Sequence, residues 1–147
     1  AYALAGARLG ITIGDPALIR VLNAIAPPYP LASPAVALAL EAVSEPAADE
    51  ARRRAGRVVA ERERVAAALE SQVGVRVVYA SDANYLLVRF NDADAAFRAL
   101  LSAGVVVRDQ RAAPRLADAL RITIGTAEEN DAMLDALLTP PRAARTA

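Results

Sequence analysis

The segment Leu120-Arg121-Ile122-Thr123-Ile124 alternates apolar and polar residues, and this pattern constrains the fold more than any other stretch of the sequence. Successive side chains of a β-strand point to opposite faces of a sheet. A strand here therefore places Leu120, Ile122 and Ile124 on one apolar face. Arg121 and Thr123 then lie on the opposite face, which is available to a ligand.

The second half of the chain predicts more strands with helices between them. Three further stretches have strand patterns: 75–79, 84–90 and 105–108. Asp92 is placed to cap a helix that ends at Gly104. Thr126 and Glu129 have the spacing of a capping box, in which each side chain bonds the other residue's free backbone N–H. Four short strands with intervening helices predict an α+β layer, one sheet covered by helices on a single side.

The first half predicts a strand and helices around a proline-rich hinge. Residues 8–14 have a strand pattern, and Asp15-Pro16 then predicts a helix start. Its predicted buried residues are Leu18, Ile19 and Leu22. Ser33-Pro34 repeats the signal of a cap followed by proline, and 49–69 is predicted to be a long helix. The run of alternating charges at 61–64 is interpreted as a solvated face.

Composition excludes several classes of function. The 147 residues are 55% hydrophobic and 23% charged with no net charge, which is typical of a globular protein without long-range attraction for nucleic acid or anionic membranes. The sequence has no Cys and no His, so thiolate nucleophiles, His-based triads and the usual zinc sites are absent. Residues 21–40 carry no charge, but four prolines argue against a membrane-spanning helix there.

The beginning of the chain, Ala5-Gly6-Ala7-Arg8-Leu9-Gly10, resembles fold-type I aminotransferases that use pyridoxal 5'-phosphate, and most closely the histidinol-phosphate aminotransferases. The resemblance continues in one register through four more segments: 26–34, 82–90, 107–110 and 120–126. The motif Leu-Arg-Ile-Thr-Ile-Gly-Thr at 120–126 is its most specific part. One departure is the additional proline in Ala26-Pro27-Pro28-Tyr29, which could shift the hinge.

The resemblance implies an α/β fold, the C-terminal part of a fold-type I transferase. Residues 1–30 are expected to end the large cofactor-binding domain. Residues 31–147 are expected to form the α+β small domain, including the linking helix. The family's lysine that carries the cofactor would lie immediately before Ala1, and the sequence contains no Lys. The chain is therefore expected to contain no catalytic residue and to be inactive alone.

The resemblance also implies the partners of the whole enzyme. These are pyridoxal 5'-phosphate as cofactor, histidinol phosphate and 2-oxoglutarate or glutamate as substrates, and a second subunit in a cytoplasmic homodimer. No metal, nucleic acid or membrane is expected. By the same resemblance, Arg8 contacts the cofactor phosphate, Arg108 the substrate phosphate and Arg121 the anionic end of the substrate. Asn84 and Tyr29 are further substrate-binding candidates.

The residue pattern by itself is also consistent with purely structural roles for the three arginines. Arg121 could pair with a nearby Asp or lie along the sheet surface. Arg108 could form a salt bridge within the Asp109-Gln110 loop. The glycines around Arg8 could be ordinary turn residues, although small residues also let a backbone approach a phosphate closely.

Two other functions are compatible with the sequence. A threonine-phosphate decarboxylase would use much the same arginines. The chain could also be a noncatalytic fragment or interaction module that packs against a partner, because arginines, carboxylates and hydroxyls are a small set for an autonomous catalyst.

Overall fold

The computed structural model describes Tyr2 and residues 4–138. These residues divide into two compact units between residues 55 and 56. The boundary between the units lies inside the longest helix, α3, which spans Glu45–Glu70. The predicted boundary near Pro30 concerns the domains of the full-length protein, and it stays a prediction.

The first unit is helical. A short 3₁₀ turn at Ala5–Ala7 is followed by α1 at Pro16–Ile25 and α2 at Ser33–Ala42, and then α3 begins. Asp15 caps α1 as predicted, since its Oδ1 accepts a hydrogen bond of 2.7 Å from the backbone N–H of Ala17. The predicted cap of α2 is wrong by one residue, because Ser33 is the first helical residue and Ala32 precedes it without a side-chain cap.

The predicted strand at 8–14 is wrong. These residues have no regular structure beyond the turn, and Ile11 and Ile13 are 83% and 94% exposed. A strand needs a neighbour that accepts its backbone hydrogen bonds, and none of the described residues pairs with this segment. The predicted burial along α1 is also wrong, because Leu18 and Leu22 are exposed and Ile19 is only half-buried.

The second unit is built on a four-stranded antiparallel sheet. Its strands are β1 at Val75–Val78, β2 at Tyr85–Phe90, β3 at Arg108–Asp109 and β4 at Ala119–Thr123, in the spatial order β1-β2-β4-β3. The alternation in β2 is confirmed, since Leu86, Val88 and Phe90 are buried while the residues between them are half-buried. The third strand is shorter than the predicted 105–108 and begins at its end.

Helices cover one face of the sheet, as predicted. They are the second part of α3, α4 at Ala93–Ser102 and α5 at Ala127–Leu138. The core between them and the sheet contains Val65, Leu69, Leu86, Val88, Phe90, Ala93, Leu100, Leu120, Ile122, Ile124, Met133 and Leu134. Gly104 follows α4 with φ 77°, a conformation that glycine adopts without strain. Both bonds of the capping box between Thr126 and Glu129 are present, at 2.9 and 3.3 Å.

A buried amide joins α3 to the turn between β4 and α5. Asn130 is 1% exposed, and its Oδ1 accepts from the N–H of Gly125 at 2.9 Å. Its Nδ2 donates to the Gly125 carbonyl at 3.2 Å and to Glu61 Oε2 at 2.8 Å. Arg62 donates to the Ala83 carbonyl at 3.0 Å. The interpretation of 61–64 as only a solvated face is therefore wrong for Glu61 and Arg62. Their side chains bond residues of α5 and of the loop before β2.

Among the described residues, no helix combines the length and apolar character that a bilayer span requires.

Candidate functional site

The sheet face opposite the helices carries the candidate site. In antiparallel pairing, residues directly opposite each other place their side chains on the same face. Arg121 lies opposite Leu87 on β2 and opposite Arg108 on β3. Tyr85 and Thr123 form the next pair along the same face. The structure thus brings two of the predicted site residues, Arg108 and Arg121, side by side.

Arg121 is half-buried and has no ion pair within the described residues. Its guanidinium carbon lies 4.8 Å from the centre of the Tyr85 ring, which is cation–π geometry. Its Nε is buried and has no hydrogen-bond partner in the described part of the chain. The guanidinium therefore lies along the sheet against an aromatic ring, with donor capacity left over for an anion.

Arg108 is exposed at the edge of the sheet, and the salt bridge with the Asp109-Gln110 loop does not form. Asp109 instead binds Arg111. Arg111 donates from Nε to Asp109 Oδ1 at 2.8 Å and from Nη2 to Oδ2 at 2.7 Å. Among the described residues, no carboxylate pairs with Arg108.

The local electrostatics follow from these pairs. Hydrogen bonds from the Arg111 side chain and then from its backbone N–H lower the pKa of Asp109 from 3.8 to about 2. Asp118, immediately before β4, pairs with Arg89 at 2.9 Å and with Arg76 at 3.1 Å. Asp109 and Asp118 are thus already paired with other arginines, and the Arg108–Arg121 pair is left positive.

Asn84 lies immediately before β2, next to Tyr85. Its carbonyl accepts from the N–H of Ile124 at 2.9 Å, which continues the pairing of β2 with β4. Its side chain is exposed and has no partner among the described residues. By alternation its side chain lies on the face of Leu86 and Ile124. On the other face lies a broad depression of about 550 Å³, lined mainly by Tyr79, Ala80, Ser81, Asp82, Ala83, Tyr85 and Leu87.

Arg8 and Tyr29 lie in the first unit, and both have a left-handed backbone with φ 54°. Residues other than glycine adopt this backbone conformation at a cost of about 1–2 kcal/mol. Both side chains are exposed, and Arg8 has no partner within the described residues. Arg115 shares the strained conformation, with φ 64°, but its carbonyl accepts from Arg89 and so has a structural role.

Sequence reasoning missed three residues of this region: Tyr85, Arg111 and Asn130. The alternation in β2 places Tyr85 on the face of Arg121, so its ring contact could have been anticipated from register. Asp109 and Arg111 are two residues apart in a turn, a spacing that permits a local ion pair. No sequence signal indicates Asn130, because its partners Gly125 and Glu61 meet only through the tertiary fold. Within the described residues, no cluster of three or more acidic residues could hold a metal ion.

The sequence matches the aminotransferase class I and II family over residues 1–137, so the chain belongs to that family. It is 58% identical over 137 residues to the histidinol-phosphate aminotransferase of Xanthomonas euvesicatoria, covering 93% of this chain and 38% of that protein. The chain thus spans less than half the length of that curated relative.

Solved structures are similar as well. The histidinol-phosphate aminotransferase of Clostridium acetobutylicum has a TM-score of 0.51 at 25% identity, over 54% of this chain and 25% of that one. A decarboxylase from Sulfurospirillum multivorans has a TM-score of 0.70 at 27% identity, over 92% of this chain and 39% of that one. The predicted fold class, the C-terminal part of an aminotransferase fold with a four-stranded sheet covered by helices on one side, is confirmed. The structure adds that the sheet is antiparallel.

Proposed function

We propose that the full-length protein is a histidinol-phosphate aminotransferase that moves an amino group between histidinol phosphate and 2-oxoglutarate. The observation that carries the proposal is the direct pairing of Arg108 with Arg121 on the open face, without a neutralising carboxylate among the described residues. Like charges directly opposite each other destabilise a sheet, and an anionic ligand between them removes that repulsion. The 58% identity to a histidinol-phosphate aminotransferase supports the same choice of substrate.

The two arginines supply recognition, and they do not transfer protons, because a guanidinium stays charged at any working pH. Its planar fork can donate two parallel hydrogen bonds to either a carboxylate or a phosphate. Arg121 is fixed against Tyr85 and binds the anionic group that both half-reactions present. Arg108 is more exposed and binds the phosphate of histidinol phosphate. Asn84, which immediately precedes Tyr85, is proposed to contribute an amide to the substrate site from the end of β2.

Arg8 is proposed to bind the phosphate of pyridoxal 5'-phosphate. Its donor chemistry fits, since the guanidinium is exposed and unpaired within the described residues. A Cβ added at Gly6 or Gly10 would meet nothing within 4 Å, so these neighbours leave space around the Arg8 backbone. When bound, the cofactor supplies an electron sink for the transfer of the amino group. Tyr29 is proposed as a further substrate contact from the hinge.

Several expectations for the full-length protein remain predictions. They are the lysine immediately before Ala1, the inactivity of residues 1–147 alone, the domain boundary near Pro30, the homodimer and the cytoplasmic location. The exposed apolar side chains of the first unit, Ile11, Ile13, Ile25 and Tyr29 among them, support the expectation that other protein packs on that unit.

A threonine-phosphate decarboxylase type of activity is the second candidate. It is favoured by the similarity to the decarboxylase of Sulfurospirillum multivorans, which extends over 92% of this chain. Such an enzyme would also need cations for a substrate phosphate and carboxylate.

One assay separates the candidates. The full-length protein, supplied with pyridoxal 5'-phosphate, is given histidinol phosphate with 2-oxoglutarate, or threonine phosphate alone. We expect glutamate to form in the first mixture and no carbon dioxide to be released in the second. Release of carbon dioxide without glutamate would favour the decarboxylase. Turnover of neither substrate would favour the noncatalytic module.

A further inference from the structure

The strand that carries Arg108 is poorly fixed by the sheet itself. β3 contains only Arg108 and Asp109, and it lies at the edge, paired with β4 alone. The bond that follows the strand, from the N–H of Gln110 to the Ala119 carbonyl, is long at 3.3 Å. A two-residue strand at a sheet edge has few backbone hydrogen bonds to prevent fraying. A further contact is therefore needed to keep β3 in register and Arg108 on the open face.

Arg111 supplies that contact on the opposite side of the strand. Besides its two side-chain bonds to Asp109, its backbone N–H donates to Asp109 Oδ1 at 2.9 Å. Its Nη1 also pairs with Asp94 in the first turn of α4. Its guanidinium carbon lies 4.8 Å from the centre of the Phe97 ring, one helical turn further along. The Arg111 side chain is only 22% exposed.

The alternation of side chains along β3 explains why the contacts of Arg111 affect Arg108. Neighbouring side chains of a strand point to opposite faces, so Asp109 points away from Arg108 as long as β3 keeps its register. Arg111 ties Asp109 to α4, on the helix side of the sheet. If the strand were released, the Asp109 carboxylate would be one residue from an unpaired guanidinium and free to neutralise it.

We propose that Arg111 is a positioning residue that anchors β3 to α4 and so keeps Arg108 unpaired and beside Arg121 for the substrate phosphate. This inference rests on the proposed function, and it adds a determinant of phosphate specificity outside the contact residues. Arg111 acts through Arg108, since its own donors are directed to Asp109 and Asp94.

The test compares kcat/KM of the full-length enzyme for histidinol phosphate and for unphosphorylated histidinol. Arg111→Gln should lower kcat/KM for the phosphorylated substrate by about 10-fold, mainly through KM, because a misplaced binding group loses its alignment. The value for histidinol should change by less than about twofold. Asp94→Asn removes the ion pair with α4 but leaves the Phe97 contact and the bonds to Asp109, so it should have a smaller effect in the same direction. Arg98→Gln, at an exposed position on α4, is the matched control and should change neither value.

A double variant separates positioning from general stability. In a protein that already carries Arg108→Gln, adding Arg111→Gln should leave the preference for phosphate unchanged within about twofold, because coupled residues are not additive. Additive losses, or equal losses for both substrates, would overturn the inference. Arg111→Lys keeps the charge but not the fork, and we expect it to restore only part of the preference.

Binding of inorganic phosphate to the full-length protein, measured by calorimetry, distinguishes the two levels of the proposal. If histidinol phosphate is not turned over but Arg111→Gln still weakens phosphate binding, the proposed function fails and the positioning role stands. If histidinol phosphate is turned over and Arg111→Gln behaves like the unaltered enzyme, only the positioning role is overturned. If inorganic phosphate is not bound and histidinol phosphate is not turned over, the proposed function and the positioning role are both overturned.

Discussion

Replacement of Arg121 tests the candidate site most directly, because the substrate-binding role and a structural role predict opposite outcomes. In the substrate-binding role, Arg121→Ala removes a bidentate partner from the anionic group of either substrate. Two charge-assisted hydrogen bonds contribute about 1.5–3 kcal/mol each when fully desolvated. Arg121 is only half-buried, so a discounted total of about 2–4 kcal/mol is expected.

That free energy corresponds to a fall in kcat/KM of about 30-fold to about 1,000-fold for both half-reactions. Arg121→Lys should recover part of the loss, since it keeps the charge without the fork. Stability should change little: the variant loses a ring contact of about 0.5–1 kcal/mol with Tyr85 but also relieves the repulsion by Arg108. Arg98→Ala, an exposed arginine without a described partner, is the control.

The assay is steady-state kinetics of the full-length enzyme with each substrate, combined with thermal unfolding of every variant. A change of less than about threefold in both half-reactions, under 1 kcal/mol, would mean that Arg121 does not bind substrate. A large loss of stability with normal kcat/KM per folded molecule would show that its role is structural. Either result would refute the assignment of the open face as the substrate site.

Two further predictions concern the turn after β4 and the edge cluster. A Cβ added by Gly125→Ala would lie 3.0 Å from Glu129 Cβ and would displace its carboxylate from the N–H of Thr126, so we expect a loss of about 1–2 kcal/mol in urea unfolding. Gly74→Ala, where an added Cβ meets nothing within 4 Å, should be close to neutral, and equal effects of the two changes would contradict the reasoning. The carboxyl carbon of Asp109, followed by NMR, should titrate with a midpoint of about 2. Because this pKa is depressed in the folded state, the stability that ionised Asp109 contributes should be complete above the ordinary pKa of 3.8 and be lost as the pH falls through about 2. An unshifted midpoint would show that Arg111 does not bind Asp109.

Local patterns predicted much of the second unit. The alternation around Arg121 was sufficient to place it on the open face. Once the apolar residues of a strand face the core, the residues between them must lie on the other face. The caps at Asp92 and Thr126 were predictable because each bond joins residues within three positions of each other. The contact of Arg111 with Phe97 was not predictable, since it depends on where α4 packs beside the sheet edge.

The failures in the first unit have a different cause. Residues 8–14 alternate like a strand, yet a strand forms only where a neighbouring strand accepts its hydrogen bonds, and periodicity carries no information about that neighbour. In the second unit, the interpretation of the charged run at 61–64 is wrong for Glu61 and Arg62 for a related reason. Nothing local shows that the Asn130 amide and the Ala83 carbonyl approach this helix and use Glu61 and Arg62 as partners.

Because the Asn130 amide bonds Glu61, the residue types tolerated at positions 61 and 130 depend on each other. Asp at position 130 would lose the donor to Glu61 and place two carboxylates together, and Leu would leave the N–H of Gly125 without a partner in a buried place. A change at position 61 would in turn leave the Nδ2 of Asn130 short of an acceptor. Positions 61 and 130 are therefore expected to vary together, although they lie 69 positions apart in the chain.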